Sequence, residues 1–222
     1  CQPMDGIGDL CRKYNCLLLV DTVTSLGGVP LYLDEWKIDL AYSCSQKGLS
    51  CPPGLGPFSM NERAEKKMSN RKDKVPNWYL DVSLLNKYWG SDRVYHHTAP
   101  VNMNFGIREA LRLLAEEGLE VSWDRHRKNA EELWNSLEKI GLELQVKKEL
   151  RLPTLTTVKI PDGVDGKAFT KHLLNNFGIE IGGGLGDFAG KVWRIGLMGY
   201  NSTSNNVDKI INILEAELPK FR

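Results

Sequence analysis

The sequence has 222 residues, of which 41% are hydrophobic, 26% are charged and 9% are aromatic. A chain of that composition can bury a core and keep a charged surface, which excludes a disordered protein. The longest purely apolar run, residues 16–20, is far shorter than the roughly 20 residues that a membrane-spanning helix needs, and no charged-then-apolar leader opens the sequence. We therefore expect neither a membrane span nor a signal peptide.

The charges nearly cancel, since 29 lysines and arginines face 28 aspartates and glutamates for a net charge of +1. Such a chain has no strong field that would steer it toward nucleic acid or an anionic membrane, so a small-molecule ligand is favoured. Five cysteines, an odd number without a CxxC pair, fit neither a disulfide framework nor a zinc site. We expect reduced thiols and an intracellular location, with cytosol, peroxisome and mitochondrion all left open.

The first part of the chain predicts a few short strands between helices. A helix is predicted over residues 5–14, and the apolar run 16–20 is typical of a buried parallel strand. Further strands are predicted over residues 38–44 and 58–60. Because two or three strands are too few for a self-sufficient parallel sheet, we predict that residues 1–118 are the carboxyl-terminal part of a large α/β domain with a mostly parallel sheet, whose remaining strands lie upstream.

The middle of the chain predicts helices. Residues 61–74 contain two basic clusters, but the interleaved acidic residues favour a solvated helix face over a nucleic-acid patch. Apolar residues at helical spacing then predict two long helices, which end at Gly118 and Gly141.

Beyond about residue 120 the pattern changes to a compact α+β unit, which we assign to a small C-terminal domain of residues 119–222. Its predicted strands cover residues 154–160, 179–181 and 192–197, and its predicted helices cover 166–177 and 205–218. The glycine-rich run 182–186 does not have GxGxxG spacing, so we interpret it as a turn near a ligand.

Two charged residues follow two neighbouring predicted strands. Asp21 comes directly after the first strand, and Lys47 lies in the polar loop after the second. Open α/β sheets bind ligands at the carboxyl ends of their strands, so both side chains are expected to reach one crevice. A lysine withdrawn from water can form a Schiff base with a carbonyl, and a carboxylate can keep a pyridinium nitrogen protonated. The pair fits pyridoxal phosphate; the alternatives are a turn cap or loop salt bridge for Asp21 and an ordinary charged strand end for Lys47.

Several longer stretches resemble a known family. Residues 17–30, LLLVDTVTSLGGVP, are similar to the class V pyridoxal-phosphate aminotransferases, specifically their alanine-glyoxylate/serine-pyruvate group. The same similarity extends to residues 42–47 (YSCSQK), 52–54 (PPG), 95–98 (YHHT), 151–154 (RLPT), 183–186 (GGLG) and 194–199 (RIGLMG). The resemblance covers essentially the whole chain and implies a transferase of fold type I.

The resemblance also implies roles for the residues that match its motifs. Lys47 would form the Schiff base with pyridoxal 5'-phosphate and then move the proton between the substrate α-carbon and the cofactor. Asp21 would pair with the pyridinium nitrogen, and Val23 would pack near the ring. Gln46 would hydrogen-bond the cofactor phosphate.

Three further residues complete the implied site. Tyr95 and Thr98 would reach the phosphate of the neighbouring subunit's cofactor, which implies a homodimer with shared active sites. Arg194 would bind the α-carboxylate of the substrate. The pattern supports Arg194 independently, because on a strand it would point away from its large neighbours Trp193 and Ile195, and a planar guanidinium suits a carboxylate. A surface arginine on a strand is the alternative.

The histidines predict no metal site. Adjacent His96 and His97 would point to opposite sides of an extended segment, and no acidic residue or thiol is evidently placed to complete a ligand set. His126 and His172 fall on predicted helices, where we interpret them as surface or packing residues.

The cysteines near the lysine are interpreted as small, semi-buried thiols. Cys44 and Cys51 flank Lys47, which is compatible with redox or sulfur-transfer chemistry. The cysteine desulfurases of the same class typically carry histidine at the position of Gln46, so Gln46 favours amino transfer.

The expected function is a ping-pong transamination between alanine or serine and glyoxylate or pyruvate. Two alternatives remain: a 3-hydroxykynurenine-type transaminase of the same group, and a catalytically silent truncated chain that serves only for folding or dimerisation.

Overall fold

The computed structural model describes residues 1–221. Its α-helices are α1 (Ile7–Lys13), α2 (Glu62–Ser69), α3 (Val82–Trp89), α4 (Val101–Glu117), α5 (Leu119–Lys139), α6 (Gly166–Phe177) and α7 (Ser204–Glu217). Its strands are β1 (Leu19–Asp21), β2 (Leu40–Tyr42), β3 (Phe58–Met60), β4 (Leu155–Lys159), β5 (Gly182–Gly183) and β6 (Val192–Gly196). No helix within these residues is both long and apolar enough to cross a membrane.

The first sheet has the order β1-β2-β3, with β1 parallel and β3 antiparallel to β2. The strand predicted over residues 58–60 is confirmed without change. The apolar run 16–20 enters the sheet only from Leu19 onward. The prediction that this run is a buried strand is wrong, because β1 is an edge strand here and Leu19 is 57% exposed. The parallel pairing sets Asp21 opposite Tyr42, so both strands end at the same edge of the sheet.

The second sheet is antiparallel, with the order β4-β6-β5. The strand predicted over residues 179–181 is wrong, because the ladder to β6 is formed by Gly182 and Gly183 instead. Ile181 is buried in the core without being part of a strand, so the apolar spacing there reflects packing after the left-handed helix cap at Gly178.

The core lies between the second sheet and the helices α5, α6 and α7. Its members all lie C-terminal to Gly118, and the largest of its fully buried side chains are those of Leu133, Leu137, Phe169, Leu173 and Trp193. Helix α6 matches its predicted range, and α7 is shifted by one residue. Gly118, at φ +90°, separates α4 from α5 as predicted. The division into domains at this glycine stays a prediction.

Helix α3 was not predicted from the sequence. It begins where the Asp81 carboxylate accepts the N–H of Ser83 at 3.0 Å. The preceding 3-10 turn, Trp78–Leu80, is capped in the same way by the side chain of Asn77. Both caps are local hydrogen bonds of the kind that favours helix initiation at Asp and Asn.

Candidate active site

Asp21 ends β1 with both carboxylate oxygens oriented by neighbours. Its Oδ1 accepts the N–H of Val23 at 2.8 Å, and its Oδ2 accepts the hydroxyl of Tyr42 at 2.7 Å. The hydrogen bond to Asp21 raises the pKa of Tyr42, so the phenol remains a donor. Within residues 1–221 Asp21 caps a turn and forms no salt bridge. Since each carboxylate oxygen has a further lone pair, the exposed Asp21 can still accept from a ligand.

Lys47 lies in a loop that the buried Ser45 fixes. The Ser45 hydroxyl donates to the carbonyl of Pro52 at 2.7 Å and accepts the N–H of Leu55 at 3.3 Å. Ser50, at φ +56°, closes the turn by donating its N–H to the Lys47 carbonyl at 2.9 Å. The half-buried Lys47 side chain has no hydrogen-bond or ion-pair partner in the part of the chain that the structure describes. The backbone of the lysine is therefore held while its amine stays available.

The loops after β1 and β2 lie against each other. The hydroxyl of Ser43 donates to the carbonyl of Thr22 at 3.0 Å. A Cβ on Gly48 would lie 2.2 Å from the carbonyl oxygen of Leu26, so only glycine allows this approach. The structure thus brings the loops of the candidate carboxylate and the candidate lysine together at one edge of the sheet.

Four neighbours of the lysine and carboxylate differ in exposure. Val23 is half-buried and Gln46 is exposed, so the amide is accessible to a ligand. Cys44 is half-buried, with its thiol 3.9 Å from the Val23 carbonyl oxygen, and Cys51 is buried. Both cysteines match the interpretation as small packing thiols, and Cys51 is more deeply buried than expected.

Tyr95 and Thr98 belong to an aromatic cluster around α3. The Tyr95 hydroxyl lies 3.1 Å from Thr98 Oγ1, and the Tyr95 ring packs edge-on against Tyr88. Tyr95 is 72% exposed, and Thr98 is exposed too. No hydrogen bond within residues 1–221 joins either side chain to the loops of Asp21 or Lys47, so the structure does not bring them into the same site within one chain.

The prediction that His96 and His97 point to opposite sides is wrong. Their Nδ1 atoms are 2.9 Å apart, within hydrogen-bond distance. The segment is not a strand, and aromatic contacts hold both rings on one side. The His96 ring stacks on Trp78 with centroids 4.0 Å apart, and the His97 ring packs edge-on against Tyr79 with centroids 5.1 Å apart. Among the described residues no group of three or more His, Cys, Asp and Glu side chains is arranged to hold a metal ion.

Arg194 lies on β6 on the opposite face from Trp193 and Ile195. Both apolar neighbours are buried while Arg194 is half-exposed, which confirms the predicted alternation. Its Nε donates to the carbonyl of Gly183 at 2.7 Å, which fixes the plane of the guanidinium. Its terminal nitrogens have no partner within the described chain, so they are available for a carboxylate.

The contact between the Lys47 turn and the segment after β6 was not predicted from the sequence. A Cβ on Gly199 would lie 2.0 Å from the Ser50 hydroxyl oxygen and 3.3 Å from the Lys47 carbonyl oxygen. The N–H of Tyr200 donates to the same Ser50 hydroxyl at 2.8 Å. The sequence feature that could have indicated this contact is the glycine at position 199, which ends the stretch RIGLMG. In the structure Gly199 adopts φ +60°.

Helix α5 holds Gly199 from the other side. His126 is fully buried, and its Nε2 accepts the N–H of Gly199 at 2.8 Å while Nδ1 lies 2.7 Å from the Ser122 carbonyl. Burial lowers the pKa of His126, which keeps the ring neutral and able to accept. Arg125 donates to the carbonyls of Gly199 and Ser202 at 2.9 and 2.8 Å. His126 is therefore an interior hydrogen-bonding residue and not a surface one.

A sequence model of the family described as aminotransferase class-V matches residues 1–210. The chain belongs to this family. Its sheet and helices are those of the pyridoxal-phosphate-dependent transferases of fold type I, over the part of that fold that the chain covers.

Individual relatives show which members of the family the chain resembles. The alanine–glyoxylate aminotransferase of Callithrix jacchus is 51% identical, over 98% of this chain and 53% of its own length. The (S)-ureidoglycine–glyoxylate transaminase of Bacillus subtilis is 38% identical, over 98% of this chain and 56% of its own. The solved alanine–glyoxylate aminotransferase of Nostoc sp. superposes with a TM-score of 0.95 at 64% identity, covering 98% of this chain and 58% of that one. The chain thus spans about half the length of the curated relatives that it matches.

Family membership implies a pyridoxal phosphate cofactor, and the chemistry of the residues at the sheet edge fits it. Asp21 offers lone pairs to a protonated ring nitrogen from a carboxylate that is already oriented. Lys47 offers a primary amine without a competing partner in the described residues, and Gln46 offers an exposed amide for a phosphate. A lysine amine and a ring-nitrogen partner are groups that proteins use to bind and tune this cofactor.

Proposed function

We propose that this chain carries the lysine, the ring-nitrogen carboxylate and the substrate arginine of an aminotransferase. The reaction moves an amino group between alanine or serine and glyoxylate or pyruvate. The observation that carries the proposal is the contact between the loops of Asp21 and Lys47 at the carboxyl edge of a parallel strand pair. Glyoxylate is favoured as the acceptor, because the alanine–glyoxylate and ureidoglycine–glyoxylate relatives both carry it in their names.

Lys47 and Asp21 have separate tasks in this reaction. The Lys47 amine would take the proton from the α-carbon of the amino donor and, in the second half of the cycle, protonate the α-carbon derived from the oxo acid. For the first task it must be unprotonated and close to that carbon. Asp21, oriented by Val23 and Tyr42, holds a proton on the ring nitrogen of the cofactor. When bound, the cofactor supplies an electron sink for the charge that develops at the α-carbon.

Arg194 orients the substrate. Its Nε is committed to the Gly183 carbonyl, so the two terminal nitrogens face outward as a pair and suit the two oxygens of an α-carboxylate. Alanine, serine, glyoxylate and pyruvate all carry this carboxylate, so one arginine serves both halves of a ping-pong cycle. Gln46 contributes an amide hydrogen bond to the phosphate.

The active form is a homodimer in which Tyr95 and Thr98 serve the site of the neighbouring subunit. Their exposure, and the lack of any hydrogen bond to the Lys47 loop within the described chain, support an action between subunits. A hydroxyl pair 3.1 Å apart is suited to a phosphate, which accepts hydrogen bonds from both.

The first test is the absorbance of the protein with pyridoxal phosphate before and after L-alanine. We expect a visible band that borohydride fixes covalently to the Lys47 peptide and that L-alanine bleaches, with glyoxylate restoring it. A protein that binds the cofactor but never responds to an amino acid would support the silent-chain alternative. A faster response to 3-hydroxykynurenine than to alanine or serine would replace the substrate assignment.

The shared site is tested by mixing two inactive proteins. One carries Lys47→Ala, and the other carries Tyr95→Ala with Thr98→Ala. Mixed dimers regain one intact site only if the hydroxyl pair acts across the interface. Recovery of activity on mixing supports the proposal, whereas no recovery from a mixture that forms mixed dimers would contradict it.

A further inference from the structure

Helix α5 contacts both loops of the candidate active site. On the Asp21 side, the hydroxyl of Ser122 donates to the carbonyl of Gly27 at 2.8 Å, and a Cβ on Gly28 would lie 3.2 Å from the His126 ring. On the Lys47 side, His126 holds Gly199, which lies against the Lys47 turn. The buried ring of His126 therefore lies between the two loops, more than 70 residues along the chain from either.

The contacts on the Lys47 side form an unbroken series. His126 Nε2 accepts from Gly199 at 2.8 Å, and the next residue, Tyr200, donates to the Ser50 hydroxyl at 2.8 Å. Ser50 in turn donates its N–H to the Lys47 carbonyl at 2.9 Å. Because a Cβ on Gly199 would lie 2.0 Å from Ser50 Oγ and 3.3 Å from the Lys47 carbonyl oxygen, a displacement of Gly199 toward Ser50 would press on the Lys47 turn.

We propose that His126 is a positioning residue for Lys47, acting through Gly199 and Ser50. The inference rests on the proposed function of Lys47 and adds a residue that touches neither substrate nor cofactor. Proton transfer requires the amine within about 3 Å of its target, and a misplacement of about 1 Å can cost on the order of 100-fold in rate. His126 thus fixes the distance on which the rate depends.

The ring is suited to this task because each nitrogen has one fixed role. The Nδ1–H donates to the Ser122 carbonyl, one helical turn earlier, which leaves Nε2 as an acceptor. A phenyl ring would fill the same space but leave the buried Gly199 N–H without a partner. A glutamine can reach a similar position with an amide oxygen, so it preserves the acceptor.

The test compares three variants of the cofactor-loaded protein: His126→Phe, His126→Gln and His172→Phe. His172 is the matched control, since it is a half-buried helical histidine that bonds Glu217 at 2.8 Å, away from the two loops. We expect His126→Phe to lower kcat about 10- to 100-fold with KM for alanine changed less than about 2-fold, because Arg194 lies on a separately anchored strand. His126→Gln should recover most of the loss, and His172→Phe should keep the original kcat.

Hydrogen exchange of the cofactor-free protein supplies a readout that does not depend on activity. In His126→Phe the amides of Gly199, Tyr200 and Ser50 should exchange faster, while those of β4 and β6 stay protected. Ser50→Ala should lower kcat in the same direction, and combining it with His126→Phe should add little, since both interrupt one series of contacts.

Three results would overturn the proposal: an unchanged kcat in His126→Phe, equal losses in His126→Phe and His172→Phe, or faster exchange spread evenly over both sheets. If the unaltered protein does not transaminate at all, the proposed function fails, and the exchange pattern alone then decides whether His126 holds the Lys47 turn.

Discussion

Two regions of the chain keep their shape by different means. Beyond Gly118, large apolar side chains from α5, α6, α7 and the second sheet form one continuous core. Around the first sheet the buried apolar side chains are few, with Ile38 and Leu49 the largest, and four polar side chains are at most 6% exposed: Thr22, Asp39, Ser43 and Ser45. Each of these four makes hydrogen bonds to the backbone of a neighbouring strand or loop.

The two regions therefore contribute differently: one mainly stabilises the fold, and the other mainly fixes backbone positions. Buried apolar area contributes roughly 25 cal/mol per Å², so the C-terminal core supplies most of what resists unfolding. A typical hydrogen bond contributes only about 1 kcal/mol net, but it is directional and fixes a backbone more narrowly than apolar contact does. Asp21 and Lys47 thus lie where hydrogen bonds specify backbone positions, beside the region that stabilises the fold.

Lys47→Ala should show the largest difference between the two regions, because it should abolish activity without changing stability. We expect transamination to fall to background, because the amine assigned to the proton transfer is removed, while the urea midpoint of unfolding stays unchanged. Lys67→Ala, an exposed lysine of α2, should alter neither quantity. Steady-state kinetics and urea titration measure both, and retained turnover in Lys47→Ala would remove the central assignment.

The converse change is Phe169→Ala in the C-terminal core. Phe169 is fully buried against Trp193 and Phe221, with ring centroids 5.1 and 5.2 Å away. We expect a loss of about 3–5 kcal/mol in the free energy of unfolding, the range for truncating a buried phenylalanine. Leu174→Ala on the same helix, where Leu174 is 47% exposed, is the control and should cost far less. Similar urea midpoints for both variants would contradict the comparison.

Arg194→Lys tests a residue that belongs to both regions, since its strand is part of the core sheet and its guanidinium faces outward. We expect a lower kcat/KM, equivalent to a loss of roughly 2 kcal/mol or more of transition-state binding free energy. The reason is that lysine cannot hydrogen-bond Gly183 and a carboxylate in the same plane. The loss should be similar for amino acid and oxo acid. Arg127→Lys on the exposed face of α5 is the control, and equal kinetics in both variants would refute the role of Arg194.

Acid titration should weaken the first sheet through Asp39. Burial alone would raise the pKa of Asp39, but hydrogen bonds from Leu18, Asn61 and Arg63 outweigh it and lower the pKa. The stabilisation is therefore present above the unfolded pKa of about 3.9 and is lost as the pH falls through the lower folded value.

Replacing Asp39 by asparagine removes this dependence. Asp39→Asn should cost about 1–3 kcal/mol at pH 7, because it breaks the ion pair to Arg63 at 2.7 Å, and its urea midpoint should vary less below pH 4 than that of the unaltered protein. An unaltered slope below pH 4 would assign the acid sensitivity to other carboxylates.

Local patterns were sufficient to predict the positions of some candidate site residues. Asp21 and Lys47 each follow a short strand candidate, and parallel pairing alone then sets them at one edge. Arg194 was predictable because a strand alternates its side chains. In each case the prediction needed only the immediate neighbours in the sequence.

Long-range contacts account for what was not predicted. His126 and Gly199 are separated by 73 residues, and their hydrogen bond exists only because α5 packs beside the segment after β6. His96 and His97 turn to one side because the 3-10 turn before α3 brings the rings of Trp78 and Tyr79 near them. Such contacts cannot be predicted from periodic patterns in the sequence.

Tyr42→Phe should have the smallest effect, and it tests whether cofactor affinity can change while stability does not. The hydroxyl donates to Asp21 at 2.7 Å on an exposed edge, so its removal leaves no buried group unpaired and the urea midpoint should not move. Affinity for pyridoxal phosphate should fall about two- to tenfold, the range of a typical net hydrogen-bond contribution, because Asp21 keeps its charge but loses one of its two orienting partners. Tyr32→Phe is the control, since the Tyr32 hydroxyl has no hydrogen-bond partner within residues 1–221. Fluorescence titration of both variants measures the difference; a Tyr42→Phe protein that binds the cofactor normally but unfolds earlier would place Tyr42 among the stabilising residues instead.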